Sequence, residues 1–224
     1  MRPVNKGNAP RAYTIYQDAI PDLRDRIGKT CSYCETNVSN SAEVEHVVPQ
    51  NNGGAVLDWN NFLISCKQCN INKSDNNLNR GDYVWPDEDN TLKAIEFIPP
   101  FCVGLSTAQP PNEQTFAINT IMLCGLDKWP GGNREPTKKD FRWRDRCEAF
   151  AIAEEQLASF GTSPNQATAE IIGRSVSQSG FFSVYFHVFR NEPLVLAELI
   201  RFSTGIDPNC FDRNYNLQGK GKVT

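Results

Sequence analysis

The fold is decided by "CSYC" at residues 31–34, "EVEHVVPQ" at 43–50 and "DWNNFLISCKQCNINKSD" at 58–75. The two Cys-x-x-Cys knuckles, Cys31/Cys34 and Cys66/Cys69, offer four thiolates, the donor set of a tetrahedral zinc. Four such ligands leave the metal dianionic overall and without an open position, so this zinc holds structure and does not activate water. Residues 35–65 lie between the knuckles, longer than the middle of a simple zinc ribbon, so the metal clamps the ends of an inserted segment. The insert reads as a strand ("EVEHVV"), a loop rich in Gly, Asn and Pro ("PQNNGGAVLDWN") and a second strand ("NFLIS"). The polar run from Lys67 to about Leu78 reads as a short helix that starts inside the second knuckle.

The insert carries His46, one of two histidines in the chain, beside Glu45; Asn70 follows the last knuckle cysteine. Glu45 and Asn70 offer hard oxygen donors, which suit Mg²⁺ with several retained waters. A neutral imidazole next to such a cation can take a proton from water, its ordinary pKa being about 6.5. The cation would stabilise charge on a phosphate and on the departing oxygen. This is equipment for hydrolysing a phosphodiester. The competing reading is a non-catalytic zinc adaptor that tethers nucleic acid, with His46 merely satisfying a hydrogen bond. A Glu-His dipeptide alone favours the adaptor; the whole constellation through "CKQCNINK" favours catalysis.

Over residues 31–75 the chain resembles the HNH nucleases, the ββα-metal family with paired zinc knuckles. The family's acidic-His pair matches Glu45-His46, with Glu where Asp is commoner. Its central asparagine matches Asn61 rather than Asn60, because Asn61 directly precedes the strand. Its final His or Asn matches Asn70, and Lys73 falls where the family often carries a basic residue. The resemblance implies that His46 activates water and that Glu45 and Asn70 hold one Mg²⁺ or Mn²⁺. It also implies that Asn61 positions the histidine loop and that Lys73 meets the substrate, DNA ahead of RNA. "MRPVNKG" (1–7), "WPDEDNT" (85–91) and "GIDPNCFD" (205–212) resemble the HNH subunits of bacterial antiphage systems, Septu and the retrons that carry a similar nuclease. That wider resemblance implies an ABC/SMC-like ATPase partner, and in some members a reverse transcriptase with its small DNA.

Outward from this segment the chain is ordinary. Its 224 residues, 39% hydrophobic and 22% charged, can bury a core in one or two domains. "MRPVNKGNAPRAYTIY" has no apolar segment of the secretory kind, and no apolar run nears the roughly 20 residues of a membrane span. A cytoplasmic protein is expected. The net charge is −3, yet residues 1–34 hold six bases (Arg2, Lys6, Arg11, Arg24, Arg26, Lys29) against three acids. Either scattered solvated charges or a phosphate-binding patch fits that excess. Cys102, Cys124, Cys147 and Cys210 stand singly and read as buried thiols.

"IPDLRDRIGKT" (20–30) reads as a helix opened by Pro21 and stopped by Gly28. Two Pro-Pro pairs in 98–114 suggest a boundary. Thr137 could cap a helix to about Phe160, with Trp143, Cys147, Phe150 and Leu157 recurring on one face and Gly161 as the stop; "EPLVLAELIRF" (192–202) reads as another. "FFSVYFHVF" (181–189) suits a strand or a buried helix, with His187 in the core. "KKDFRWRDR" (138–146) reads as a solvated face with a buried aromatic edge, "PDED" (86–89) as a solvated turn and residues 215–224 as a frayed tail. The expectation is an α+β fold, with an HNH unit over 1–98 and a mainly helical partner-docking domain over 99–224.

Overall fold

The structure, a computed structural model, describes residues 1–77, 79–98, 102–106 and 109–224, and for Cys102 the backbone alone. Helix α1 (Ile20–Ile27) carries Pro21 in its first turn, where a missing N–H costs nothing, and ends at Gly28 with φ of +81°. Strands β1 (Glu43–His46) and β2 (Phe62–Ser65) pair antiparallel, Glu43 opposite Ser65 and His46 opposite Phe62. All four β2 residues are buried. Helix α2 (Lys67–Lys73) follows at once, capped by Cys66, whose Sγ accepts from the Cys69 amide at 3.3 Å. The strand–loop–strand–helix order expected of the insert is present. The helix stops at Lys73, before Leu78, which lies outside the described residues.

Beyond it come α3 (Thr91–Ala94), β3 (Ile95–Ile98), β4 (Cys102–Leu105) and α4 (Pro111–Cys124). Next are α5 (Arg142–Thr162), α6 (Gln166–Ser179), α7 (Phe182–Val188) and α8 (Pro193–Phe202). β3 and β4 form a second antiparallel pair. Of the expected boundary stretch, residues 98, 102–105 and 111–114 therefore belong to elements, while 99–101, 107 and 108 lie outside the described residues. Ala117, Ile121, Leu123 and Cys124 of α4 share one core with Tyr33, Phe62, Leu63, Ile64 and Trp85. A second core joins α5 to α8 through Phe160, Ile172, Val176, Phe186 and Leu199. Among the described residues no helix is long and apolar enough to cross a membrane.

Several expectations are corrected. Helix α5 starts at Arg142 without a side-chain cap, not after Thr137, and passes through Gly161. Its buried residues are Arg142, Arg146, Ala149, Ala153 and Phe160, so Trp143, Cys147, Phe150 and Leu157 sit half-buried at the edge. "PDED" is no solvated turn: Asp87 pairs with Lys6 and Arg80, and Asp89 is buried, accepting from the Trp85 amide. The tail is packed, Val223 being buried and Thr224 Oγ1 donating to Glu113. In the basic N-terminal arm Arg2 and Lys6 are buried and bond backbone carbonyls, which leaves less of a surface patch. Residues 182–188 are helical, and His187 is half-exposed, with Nε2 3.4 Å from Arg190, not in the core. Cys124 and Cys210 are buried, and burial pushes the Cys210 thiol up to about 12.

Candidate active site

The two knuckles meet. The Sγ atoms of Cys31, Cys34, Cys66 and Cys69 all lie within 4.8 Å of one another, and Cys34 and Cys66 are 3.6 Å apart. A tetrahedral zinc with Zn–S bonds of about 2.3 Å spaces its sulfurs by about 3.8 Å, so the cluster fits a structural zinc. Burial pushes the Cys31 and Cys69 thiols up, while hydrogen bonds from its three partners pull Cys34 down. Four thiolates cannot share this volume without a cation. The knuckles fasten both ends of the insert, and the Ser32 amide also donates to Ile64 of β2 at 2.8 Å.

The loop between β1 and β2 is braced by Asn61. Its Nδ2 donates to the carbonyls of Val48 (2.9 Å) and Ala55 (3.1 Å), and its Oδ1 accepts from the Val48 amide at 2.8 Å. Asn77 adds a bond to the Val47 carbonyl at 2.8 Å. Gly54 lets the loop close, because a Cβ there would sit 1.8 Å from the Val48 oxygen. So folded, the loop sets the Val56 carbonyl 3.0 Å from His46 Nε2. A carbonyl only accepts, so Nε2 carries the proton and Nδ1 keeps its lone pair. Tyr16 and Phe62 meet the imidazole edge-on, with ring centroids 4.8 and 5.2 Å away. Burial lowers the His46 pKa, helped by the Lys73 charge and opposed by the Val56 bond. The ring is neutral near pH 7.

Successive side chains on a strand point to opposite faces, so His46 lies with Phe62 while Glu43 and Glu45 share the other face. Glu45 is 2 % exposed, and its Oε1 is 2.7 Å from the ammonium of Lys73, itself 1 % exposed. Lys73 also donates to the His46 carbonyl at 2.9 Å. The expected substrate contact is thus corrected: Lys73 faces inward as the partner of Glu45. Burial outweighs that partner and pushes the Glu45 carboxyl up to about 7. Its other oxygen, Oε2, is buried with no hydrogen-bond partner. Asn70 Nδ2 donates to Glu43 Oε2 at 2.7 Å, which leaves the Asn70 oxygen open to a cation. Glu45 and Asn70 thus offer a partnerless buried carboxylate oxygen and an amide oxygen, donors of the kind a hard divalent cation takes.

Residues 31–76 match the HNH endonuclease family. No curated protein and no solved structure matches the chain. The matched HNH segment takes in both knuckles, β1, β2 and α2, with Glu45, His46, Asn61, Asn70 and Lys73 inside it.

Sequence reasoning missed two residues at this centre. Glu43 could have been found from its place two residues before Glu45 on one strand face. Arg142 carried no such signal: it sits in α5 and donates to Cys69 Sγ at 2.9 Å. "KKDFRWRDR" inverts its expected pattern, for Asp140, Arg142 and Arg146 are buried while Phe141 is exposed beneath Arg144 at 4.6 Å.

Proposed function

We propose that this protein hydrolyses phosphodiester bonds in nucleic acid, DNA ahead of RNA, with the reacting phosphate at the end of β1. One observation carries the reading: the proton acceptor and the candidate cation donors lie on opposite faces of that strand. In-line displacement at phosphorus uses a proton acceptor on the side of the attacking water and charge stabilisation on the side of the departing oxygen, and the end of β1 offers a group of each kind. Nδ1 of His46 accepts the proton of the water, and the Val56 carbonyl holds the ring so that this nitrogen keeps its lone pair, with the Gln50 side-chain amide 3.4 Å away and displaced by the water. Asn61 keeps the loop that carries Val56 in register. Lys73 fixes Glu45 and the His46 backbone together. When bound, Mg²⁺ or Mn²⁺ would stabilise charge on the phosphate and the departing oxygen.

Plasmid nicking with and without Mg²⁺ tests this. Wild type is expected to nick only with the metal, and His46→Ala to lose about 10²–10⁴-fold or more while still binding DNA. DNA binding by wild type with no cleavage under any divalent metal would make the protein the zinc adaptor instead.

The same proposal extends to the setting. The three short stretches that resemble antiphage HNH subunits come together in space: Val4 bridges Ile206, the Val4 amide donates to Pro86, and Asn90 Nδ2 donates to Cys210. Their convergence supports one shared fold element and, with it, an effector that works with an ABC/SMC-like ATPase, as in Septu or a retron complex with its reverse transcriptase. A net charge of −3 gives weak long-range attraction to DNA, which a basic partner would supply. Co-expression with a genomically adjacent ATPase and size-exclusion chromatography is expected to show one complex. A monomer that cuts rapidly and never co-elutes would refute the partner and leave the HNH chemistry standing.

A further inference from the structure

The four cysteines lie inside the HNH segment, but much of what surrounds them does not. Arg142, the first residue of α5, is 6 % exposed and donates through Nη1 to Cys69 Sγ at 2.9 Å. The same guanidinium donates to the last carbonyls of α4, Cys124 at 2.8 Å and Gly125 at 3.1 Å. It forks onto Asp140 through Nε and Nη2, each at 2.8 Å. Arg146, one turn further along α5, is also buried, and the Cys34 charge is the main influence favouring its proton against burial. A zinc held by four thiolates carries two uncompensated negative charges, which a buried setting tolerates only beside cations. Two buried arginines on one helix face supply cations there, one of them shared with Asp140.

The first knuckle is gripped from the same half of the chain. Glu35, directly after Cys34, has φ of +65° and accepts at Oε2 from the amide and hydroxyl of Ser183, both at 2.9 Å. Its carbonyl accepts from the Phe181 amide at 3.2 Å, and Thr36 bridges Gly180. Gly180 has no room for a side chain, since a Cβ would stand 2.2 Å from the Glu35 oxygen. One knuckle thus caps the start of α7, and the other receives the start of α5.

We propose that the zinc centre is the joint between the HNH domain and the helical half, with Arg142 as a positioning residue whose N–H···S bond and charge complete it. Metal retention and the seating of α5 and α7 on the knuckles are then one coupled equilibrium. Coupling is reciprocal: what loosens α5 weakens zinc binding, and loss of zinc loosens α5 and α7. The inference rests on the zinc reading of the four cysteines and is independent of the nuclease chemistry.

Zinc affinity of the full chain, measured by competition with a chromophoric chelator, tests it in Arg142→Gln and Asp140→Asn. Both substitutions break the Arg142–Asp140 fork and lower fold stability, but only Arg142→Gln removes the donor to sulfur. Arg142→Gln is expected to hold zinc about 10–100-fold less tightly, the range for outer-shell partners of a metal site. Asp140→Asn removes a negative charge near the sulfurs and is expected to keep wild-type affinity or exceed it. In the cobalt-substituted protein the sulfur-to-cobalt charge-transfer band of Arg142→Gln is expected to move to longer wavelength, because a thiolate without its hydrogen bond gives up an electron more easily. Equal losses in the two variants with an unmoved band would reduce Arg142 to an ordinary ion pair and overturn the proposal.

If Arg142→Gln does not fold, hydrogen exchange on the wild-type chain decides. Chelation of the zinc is expected to speed exchange at the Phe181 and Ser183 amides together with the knuckle amides. Continued protection at Phe181 and Ser183 while the knuckles open would overturn the joint. A wild-type protein that takes up no zinc would instead sink the metal reading itself.

Discussion

The atom that matters most at the scale of single residues is Nδ1 of His46, and its usefulness is set by a neighbour it does not choose. The Val56 carbonyl fixes the proton on Nε2, and burial depresses the ring's pKa below 6.5, with Lys73 adding to the effect. In the proposed reaction the working form is the neutral base, so a depressed pKa keeps it populated at lower pH. At saturating divalent metal, which keeps Glu45 ionised, the acid limb of kcat/KM is therefore expected below pH 6.5, at a position set by His46. A pH–rate profile checks this, and an acid limb well above neutrality would assign the base to another group. Asn61 acts one step further out. Asn61→Ala would leave the Val48 amide and two carbonyls without their partner, at about 1–3 kcal/mol for each group left buried and unpaired. A loop displaced by about 1 Å can cost 10²-fold in rate, so activity is expected to fall that far even where urea unfolding shows a folded protein. Wild-type nicking by a destabilised Asn61→Ala would separate the loop from catalysis.

Among the elements, the ones legible in the sequence were those whose signals are local. Pro21 and Gly28 bracket α1, alternation and turn residues mark β1, its loop and β2, and the knuckle cysteines announce their own partners. Elements whose form depends on distant partners were misread. Helix α5 buries Arg142 and Arg146, which look like solvent-facing residues until Cys69, 73 positions away from Arg142, is brought against the helix. Glu43 was overlooked for a similar reason, since its partner Asn70 stands on another element. The α6–α8 crossing shows the same principle as pure packing. Gly173 lies so close to α8 that a Cβ would be 2.7 Å from the Glu198 carbonyl oxygen. Alanine at an ordinary helix position gains about 1 kcal/mol over glycine, whereas overpacking against backbone costs about 1–3 kcal/mol. Steric cost wins here, because the obstructing atoms are backbone and cannot rotate away. Gly173→Ala is expected to lower Tm, and a raised Tm would mean that α6 and α8 stand further apart than described.

Across the whole molecule, chain segments remote in sequence are tied to the loop between β1 and β2 by one ion network. Lys6 pairs with Asp87 at 3.1 Å and donates to the carbonyls of Asn60 and Phe62 at 3.1 and 2.7 Å. Arg80 pairs with Asp87 at 2.7 Å and donates to the same Asn60 carbonyl at 3.0 Å. Burial alone would raise the Asp87 pKa, but Lys6 and Arg80 hold its carboxyl below the usual range. The network lines a polar cleft of about 780 Å³ together with Gly54, Asn61, Asp207 and Lys220, so loop, N-terminal arm and C-terminal segment share one wall. Two cations thereby pin the residue just before Asn61, the brace of the histidine loop. Lys6→Met keeps most of the apolar stem and removes only the ammonium. It leaves Asp87 and the Asn60 carbonyl with Arg80 alone and takes the Lys6 donor from the Phe62 carbonyl, a loss on the order of 3 kcal/mol for breaking a buried pair. Its effect should also reach the active site through Asn60. Measured well below its Tm, the variant is expected to nick at least about tenfold more slowly, because a small displacement of the loop is costly in rate. Zinc content should not change, since the knuckles lie outside this network. A Lys6→Met protein that is less stable but nicks at the wild-type rate would show that the N-terminal arm only holds the molecule together and does not position the histidine loop.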